Sequence, residues 1–160
     1  MCAPDYVGPF VGWRLWRTVE TPAGLRLQSL FHESAWPPGE PLRAVCLARR
    51  SPRLLLQRVR RRQHYAPDAS CSCGVYAAEP ELLLEQIERQ AERYVVGRVR
   101  FWGRVVECEL GWRAEFAYPA HIYVPAGDDA REVLAGLAVY GVSVEQSAEP
   151  IPPRLLAAVS

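Results

Sequence analysis

The sequence has no apolar run long enough to cross a membrane and no large excess of charge of either sign. A membrane-spanning helix needs about 20 consecutive apolar residues, and no run in the chain approaches that length. The N-terminal residues also lack the basic start and the apolar stretch of a signal peptide. We therefore expect a cytoplasmic protein without a membrane partner. The formal net charge of +1 argues against general binding to polyanions by the whole molecule.

Lysine is absent, and the 19 basic side chains other than histidine are all arginines. Arginine presents a planar fork of N–H donors to carboxylates and phosphates, and it stacks on aromatic rings. The strongest local charge feature is the run from Arg58 to Arg62. It could bind nucleic-acid phosphates or form a solvated helix end or loop. The near-zero net charge favours the solvated surface.

The five cysteines do not indicate a disulfide framework, because their number is odd and the chain is large enough to fold without disulfides. With 160 residues, of which 49% are hydrophobic, the sequence predicts a single domain over residues 1–160 with a real core. Residues 145–160 form a Pro-rich C-terminal tail. A disulfide between Cys71 and Cys73 would close a very small, strained ring, so we expect reduced thiols.

Alternating apolar and polar residues predict strands separated by two or three helices. The pattern over residues 11–31, interrupted by turn residues, predicts a hairpin with Trp13 and Trp16 on opposite faces. A bulge or bend is expected at Gly103. The order of elements indicates an α+β fold with a bent antiparallel sheet or a small β-barrel. Further strands are predicted over 42–48, 75–78, 95–108, 112–118, 122–124 and 142–145. Helices are predicted after Ser51, over 79–94, and from an Asp129–Glu132 capping pair to Gly141.

The densest group of reactive side chains lies around the Cys71-Ser72-Cys73-Gly74 segment. Structural zinc sites use four ligands, usually Cys and His. Cys71, Cys73 and His64 could supply three of them from one predicted loop. Cys46, at the end of a predicted strand, is the best fourth ligand. The same pattern also fits thiols that are simply buried as small apolar groups, and the sequence leaves these two interpretations level.

The same thiols allow two further interpretations, a redox pair and a catalytic nucleophile. A thiolate beside His64 and the arginine run would be reactive, but redox pairs more often have two intervening residues, and no thioredoxin-like context surrounds this pair. The alternative function is a small cysteine-dependent hydrolase or transferase that uses Cys71 or Cys73 with His64 or His121 as the base. His32 and His121 are also weaker alternative zinc ligands.

The five tryptophans could form part of the core or line a pocket for a base, a sugar or a cationic group. We expect at least three to lie mainly in the core. The residues predicted to form an aromatic and arginine-lined binding face are Trp13, Trp16, Arg100, Trp102 and Trp112.

Alternation along the predicted strand places three arginines, Arg98, Arg100 and Arg104, on one face with Trp102. Arginines interleaved with aromatic residues bind single-stranded nucleic acids in other proteins. A half-exposed sheet produces the same pattern when its arginines pair with acidic residues across a hairpin. We favour this pairing, for which the available partners are Glu107, Glu109 and Glu115.

Four segments carry a resemblance to known proteins: residues 12–17 (GWRLWR), 71–77 (CSCGVYA), 96–103 (VGRVRFWG) and 111–119 (GWRAEFAYP). In this order they resemble a group of small uncharacterised bacterial proteins. The resemblance implies that the Cys-x-Cys-Gly segment and the Trp-containing strands belong to one domain, but it brings no known activity.

Together these patterns predict a non-enzymatic binding module. A zinc ion bound to Cys46, His64, Cys71 and Cys73 would staple its shape. Its aromatic and arginine-lined sheet face would bind a ligand, a nucleic acid or a protein partner.

Overall fold

Seven strands in one sheet and two α-helices make up the fold in the computed structural model, which describes residues 9–46, 64–89 and 94–148. The strands are β1 Phe10–Thr21, β2 Gly24–Ser29, β3 Leu42–Arg43, β4 Val75–Ala78, β5 Val95–Cys108, β6 Gly111–Pro125 and β7 Ser143–Ser147. The helices are α1 Pro80–Arg89 and α2 Ala130–Leu137, and a 3-10 helix over Ala138–Tyr140 follows α2.

Strands β1 and β2 form the predicted N-terminal hairpin. Its turn closes between Thr21 and Gly24, where the Thr21 hydroxyl donates a hydrogen bond to the Gly24 carbonyl at 2.7 Å. Trp13 and Trp16 belong to two separate apolar clusters, as expected for opposite faces of the strand. The prediction of a hairpin with its two tryptophans on opposite faces is therefore confirmed.

Strands β5 and β6 form a long antiparallel hairpin at the centre of the sheet. The predicted irregularity at Gly103 is confirmed, because the register shifts between Trp102 and Val105 and Gly103 has a φ of 77°. The expectation of two separate strands over 112–124 was wrong, since β6 is continuous. A second register shift, opposite Pro119, accommodates the residue that lacks a backbone N–H.

The sheet is bent and mixed, rather than wholly antiparallel or closed into a barrel. Strand β7 pairs in parallel with β6 because the chain crosses over through α2 before it returns to the sheet. Among the described strands, β4 meets β1 only at the pair Trp13–Ala78. No continuous ladder therefore joins these two strands, so the small β-barrel is not formed.

The ends of the other elements differ in part from the sequence-based expectation. Strand β3 stops at Arg43, so Cys46 lies beyond it in an irregular segment. Asp129 occupies the N-cap position of α2 without a side-chain capping hydrogen bond, so the predicted capping box is not formed. Gly141 follows the 3-10 helix with a φ of 66°, which confirms the predicted left-handed cap.

Some predictions fall outside the described residues: the helix after Ser51, the run Arg58 to Arg62 and most of the tail over 145–160, whose first residues belong to β7. Helix α1 lies within the predicted range 79–94. Residues 90–93 of that range also fall outside the residues that the structure describes. Within the described residues, the helices are too short or too polar to span a bilayer.

Two apolar clusters pack against the sheet. In the larger one, the ring of Trp16 meets that of Trp36 edge-on at 5.4 Å, and the Tyr140 hydroxyl donates to the Trp36 carbonyl at 2.7 Å. In the smaller one, Trp13 stacks on Tyr123 beneath α1. Trp13, Trp16 and Trp36 are each at most 2% exposed, which confirms that at least three tryptophans lie in the core.

Candidate metal centre

Cys46, His64, Cys71 and Cys73 lie together beside the start of β4. Their four candidate ligand atoms are all within 4.8 Å of one another. The Sγ atoms of Cys46 and Cys71 are 3.8 Å apart, and the Sγ of Cys73 is 3.4 Å from Nε2 of His64. Tetrahedral zinc, with bonds of about 2.3 Å to sulfur and about 2.0 Å to nitrogen, requires separations of about 3.8 Å and about 3.5 Å. Both distances match, so the cluster could hold a metal ion.

Strand β6 brings the two ligand-bearing segments together. Cys46 follows β3, which pairs with β6, and the N–H of Ala44 extends this pairing by donating to the Glu115 carbonyl at 2.7 Å. The segment with His64, Cys71 and Cys73 leads directly into β4, which pairs with the first residues of β6 on the same edge as β3, because β5 occupies the other edge. The four side chains therefore meet through sheet pairing with one common strand.

The guanidinium of Arg113, on β6, orients the loop that carries three of the candidate ligands. Its Nη1 donates to the carbonyls of Asp68 at 3.2 Å, of Cys73 at 2.9 Å and of Cys71. Its Nε donates to the Sγ of Cys108 at 3.2 Å. Arg113 is only 7% exposed, and these hydrogen bonds are partly buried. The sequence does not single out Arg113, because nothing in its spacing distinguishes it from the other arginines.

Local hydrogen bonds and one glycine shape the same loop. The Asp68 carboxylate accepts bonds from the N–H and the hydroxyl of Ser70 at 2.9 and 2.6 Å, and these bonds lower the pKa of Asp68. The N–H of Cys71 donates to the Asp68 carbonyl at 3.1 Å. Gly74 has a φ of 133°, and a Cβ there would lie 2.8 Å from the Cβ of Arg113. Glycine is therefore required where the loop approaches β6.

The pKa values of Cys71 and Cys73 shift in opposite directions. Burial would raise the pKa of Cys71, but hydrogen bonds from the N–H and thiol of Cys73, and from Cys46 and His64, lower it to about 7. Burial raises the pKa of Cys73, and the nearby Cys71 and Cys46 raise it further, to about 11. One thiolate therefore opposes the ionisation of its neighbour. A bound divalent cation removes this conflict, because metal-bound thiols are deprotonated.

The two alternative nitrogen ligands lie elsewhere. His121 is on β6, where its Nε2 is 3.3 Å from the Glu145 carboxylate and its ring stacks on Tyr123 at 4.2 Å. His32 follows β2 and borders a cavity. Among the described histidines, His64 is the one that belongs to the cluster.

The residues of the predicted aromatic and arginine-lined face lie in different environments. Trp13 and Trp16 are buried in separate clusters. Trp102 is half-buried and stacks on Phe116 at 6.1 Å, and Arg100 is exposed on the same strand. Trp112 is half-buried and borders the cavity. Their role in ligand binding stays a prediction.

One acidic residue of the predicted cross-strand pairs has a different arginine partner. The carboxylate of Glu115 lies 3.5 Å from the guanidinium of Arg43, on β3. It also accepts a hydrogen bond from the backbone N–H of Arg104 at 3.4 Å. Glu115 therefore links β3 to the bulged part of β5, next to the segment that carries Cys46.

A cavity of about 530 Å³ adjoins the metal centre. Its walls come from β1, β4, α1 and the segments that follow β2 and β3. Both ligand-bearing segments contribute to it: Val45 precedes Cys46, and Ser72 lies between Cys71 and Cys73. A metal ion in the cluster would therefore join two walls of the cavity.

Comparisons of the chain with protein-family models, with curated proteins and with solved structures found no match. Residue roles therefore follow from the geometry and chemistry of the Cys/His cluster and of the cavity beside it.

Proposed function

We propose that the protein is a non-enzymatic binding module whose shape is fixed by a structural zinc ion. The observation that carries this proposal is the approach of three thiols and one imidazole, from two separate segments, to within 4.8 Å of one another. Two of the six distances between their ligand atoms, 3.8 Å and 3.4 Å, match tetrahedral zinc. Sulfur and imidazole ligands favour zinc, whereas magnesium and calcium favour oxygen ligands.

A structural role follows from the number of ligands. Four protein side chains fill a tetrahedral shell, whereas catalytic zinc sites keep one position open for water or substrate. The ion would connect the segment after β3 to the loop before β4, which makes it a cross-link between two parts of the sheet. Binding would then occur on a neighbouring surface. A nucleic acid or protein partner for the exposed arginines and half-buried tryptophans also stays a prediction.

A cysteine-dependent enzyme is the second candidate, and the contact of 3.4 Å between Cys73 and His64 favours it. A thiol within reach of an imidazole is the basic arrangement of a nucleophile and its base. This interpretation leaves the close approach of Cys46 to Cys71 without a role. The metal centre explains all four side chains, so we place it first.

Metal analysis of protein purified without added zinc tests the proposal. We expect about one zinc ion per chain, and a lower free energy of unfolding after removal of the ion by a chelator. A zinc content below about a tenth of an equivalent, with unchanged stability in chelator, would refute the structural zinc ion.

Variants identify the ligands. Cys71→Ser and His64→Gln should each lose most of the bound zinc. The matched controls are Cys108→Ser, which keeps an acceptor for Arg113, and His121→Gln, because both residues lie outside the cluster. Equal zinc loss in the controls would contradict the assignment. If Cys73 in zinc-loaded protein reacts with iodoacetamide faster than free cysteine, the enzymatic alternative is favoured.

A further inference from the structure

We infer that the cavity beside the metal centre binds an apolar small molecule with an anionic head group, and that Arg14 holds this head group. The inference rests on the proposed binding function and names its ligand class. It follows from the size of the cavity, from the exposed apolar side chains around it and from the surroundings of one arginine.

The cavity has the size and lining of a small-molecule site. Its volume of about 530 Å³ lies within the range of about 300–1,000 Å³ that is typical of such sites. Of seven large apolar side chains that are exposed in the described part of the chain, four border the cavity: Phe31, Val45, Tyr76 and Leu110. A concentration of exposed apolar side chains around one cavity marks a binding site.

Arg14 supplies the charge for the head group. Its Nη1 donates to the Tyr76 carbonyl, its Nη2 donates to the Ser29 hydroxyl at 3.1 Å, and its guanidinium lies 5.1 Å from the Trp36 ring centroid. All three partners are uncharged. A guanidinium has five N–H donors, so these two hydrogen bonds leave donors for a ligand.

Arg14 is half-buried, and this partial burial makes an anionic partner favourable. Burial lowers the pKa of Arg14 to about 10, so the group remains a cation at neutral pH. No carboxylate of the described residues offsets this burial. A cation that is partly removed from water without a counter-ion is unfavourable. An anionic ligand in the cavity would compensate the charge and accept charge-assisted hydrogen bonds.

The remaining basic side chains of the lining agree with an anionic ligand. Arg43 and His32 border the cavity, and Arg43 already has Glu115 as its partner. The described lining residues include no aspartate or glutamate. An anionic head group would therefore meet no repulsion from the lining, while the apolar part of the ligand would contact side chains such as Leu83 and Trp112.

Calorimetric titration of the zinc-loaded full chain with three ten-carbon probes tests the inference. The probes are decanoate, decyl phosphate and decylamine, which share an alkyl chain and differ in head group. We expect at least one anion to bind about ten-fold or more tightly than the amine. Preference for decanoate identifies a carboxylate ligand, and preference for decyl phosphate identifies a phosphate ester. Equal binding of the amine, or no binding of either anion, would overturn the inference.

Variants of Arg14 test its role. Arg14→Met keeps an apolar stem, removes the charge and should weaken binding of the anion by about 10- to 100-fold. Arg14→Lys should retain part of the affinity. Arg26→Met is the matched control, because Arg26 lies on β2 outside the cavity lining. Unchanged affinity in Arg14→Met would contradict the role of Arg14.

A second variant keeps the test valid if Arg14→Met does not fold. Leu110 borders the cavity and is 53% exposed, so Leu110→Ser should fold normally. It should weaken binding of the anionic probe by roughly five-fold through lost apolar contact. An affinity equal to that of the unsubstituted protein would place the ligand outside this cavity.

Zinc analysis of the same samples separates this inference from the proposed function. A zinc-loaded sample that binds neither anion contradicts only the ligand assignment. A sample that binds the anion with the expected preference but contains no zinc contradicts only the metal centre.

Discussion

Replacement of Arg113 by methionine should weaken both the fold and the binding of zinc. Methionine keeps most of the apolar stem of the side chain but removes every donor that holds the loop. The carbonyls of Asp68, Cys71 and Cys73 then lose their shared cationic partner. Two of these carbonyls belong to candidate zinc ligands, so their release changes the direction of the thiols.

The size of the effect follows from the donor count. Nη1 carries two hydrogens, so it can fully satisfy two of the three carbonyls at a time. A hydrogen bond to a charged group contributes about 1.5–3 kcal/mol. Water can replace part of this contribution because the loop carbonyls are only partly buried. We therefore expect the free energy of unfolding to fall by about 2–4 kcal/mol. Groups that orient metal ligands typically contribute about 10- to 100-fold in affinity, and we expect a similar loss of zinc affinity.

Two measurements test this prediction. Urea unfolding of the zinc-loaded protein gives the change in stability, and competition with a chromophoric chelator gives the zinc affinity. Arg113→Lys should have an intermediate effect, because an ammonium keeps the charge but not the planar geometry of the fork. Arg100→Met is the matched control, since Arg100 is exposed on β5 and lies outside the cluster.

Two results together would refute the positioning role of Arg113. The zinc affinity of Arg113→Met would lie within two-fold of that of the unsubstituted protein, and the free energy of unfolding would change by less than about 0.5 kcal/mol. A loss of stability with unchanged zinc affinity would show that Arg113 supports the fold without orienting the metal ligands.

Two further predictions concern the same loop. Gly74→Ala should lower the free energy of unfolding by about 2–4 kcal/mol in urea, because its φ is positive and the added Cβ would lie 2.8 Å from the Cβ of Arg113. Gly39 also has a positive φ, but an added Cβ there would meet no atom within 4 Å. Gly39→Ala should therefore lower the free energy of unfolding by only about 1 kcal/mol. Equal losses of stability in Gly74→Ala and Gly39→Ala would contradict this explanation. In metal-free protein, alkylation of Cys71 should increase with pH around its pKa of about 7 and be faster at neutral pH than alkylation of Cys73, whose pKa is about 11. Mass spectrometry of iodoacetamide-treated protein checks this order, and a faster reaction at Cys73 would contradict it.

Local patterns were sufficient to predict the hairpins and the approximate positions of the two helices in the described part of the chain. The alternation in β1 and the irregularity at Gly103 each depend on a few neighbouring residues, so both can be predicted from the local sequence. The parallel pairing of β7 depends on the path of the chain through α2, which no local pattern shows. The continuity of β6 was missed because no local pattern shows how a strand continues past Pro119, which has no backbone N–H. The pairs Val99–Pro119 and Arg98–His121 leave Ala120 as an extra residue of β6, and this register shift lets the strand continue.

The metal centre was predictable in its residues but not in its geometry. His64, Cys71 and Cys73 are close in sequence, and the ligand count of zinc suggests a fourth residue such as Cys46. The same residues also fitted buried thiols without a metal. The sequence could not decide between the two interpretations, because the distances between the side-chain atoms are set by the pairing of β3 and β4 with β6. Arg113 was missed for the same reason, since its role depends on carbonyls about 40 residues earlier in the chain.

The position of the metal centre also gives a reason for a cross-link at this part of the fold. Strand β3 has only two residues, and the loop before β4 has no regular secondary structure, so sheet pairing alone holds these segments weakly. Both border the cavity. A metal ion that joins Cys46 to Cys71 and Cys73 would order two walls before a ligand arrives. Ordering a site in advance increases affinity because less conformational entropy is lost on binding. In this proposal the candidate metal centre and the cavity would act together: the ion would shape the binding site, and Arg14 would select an anionic ligand.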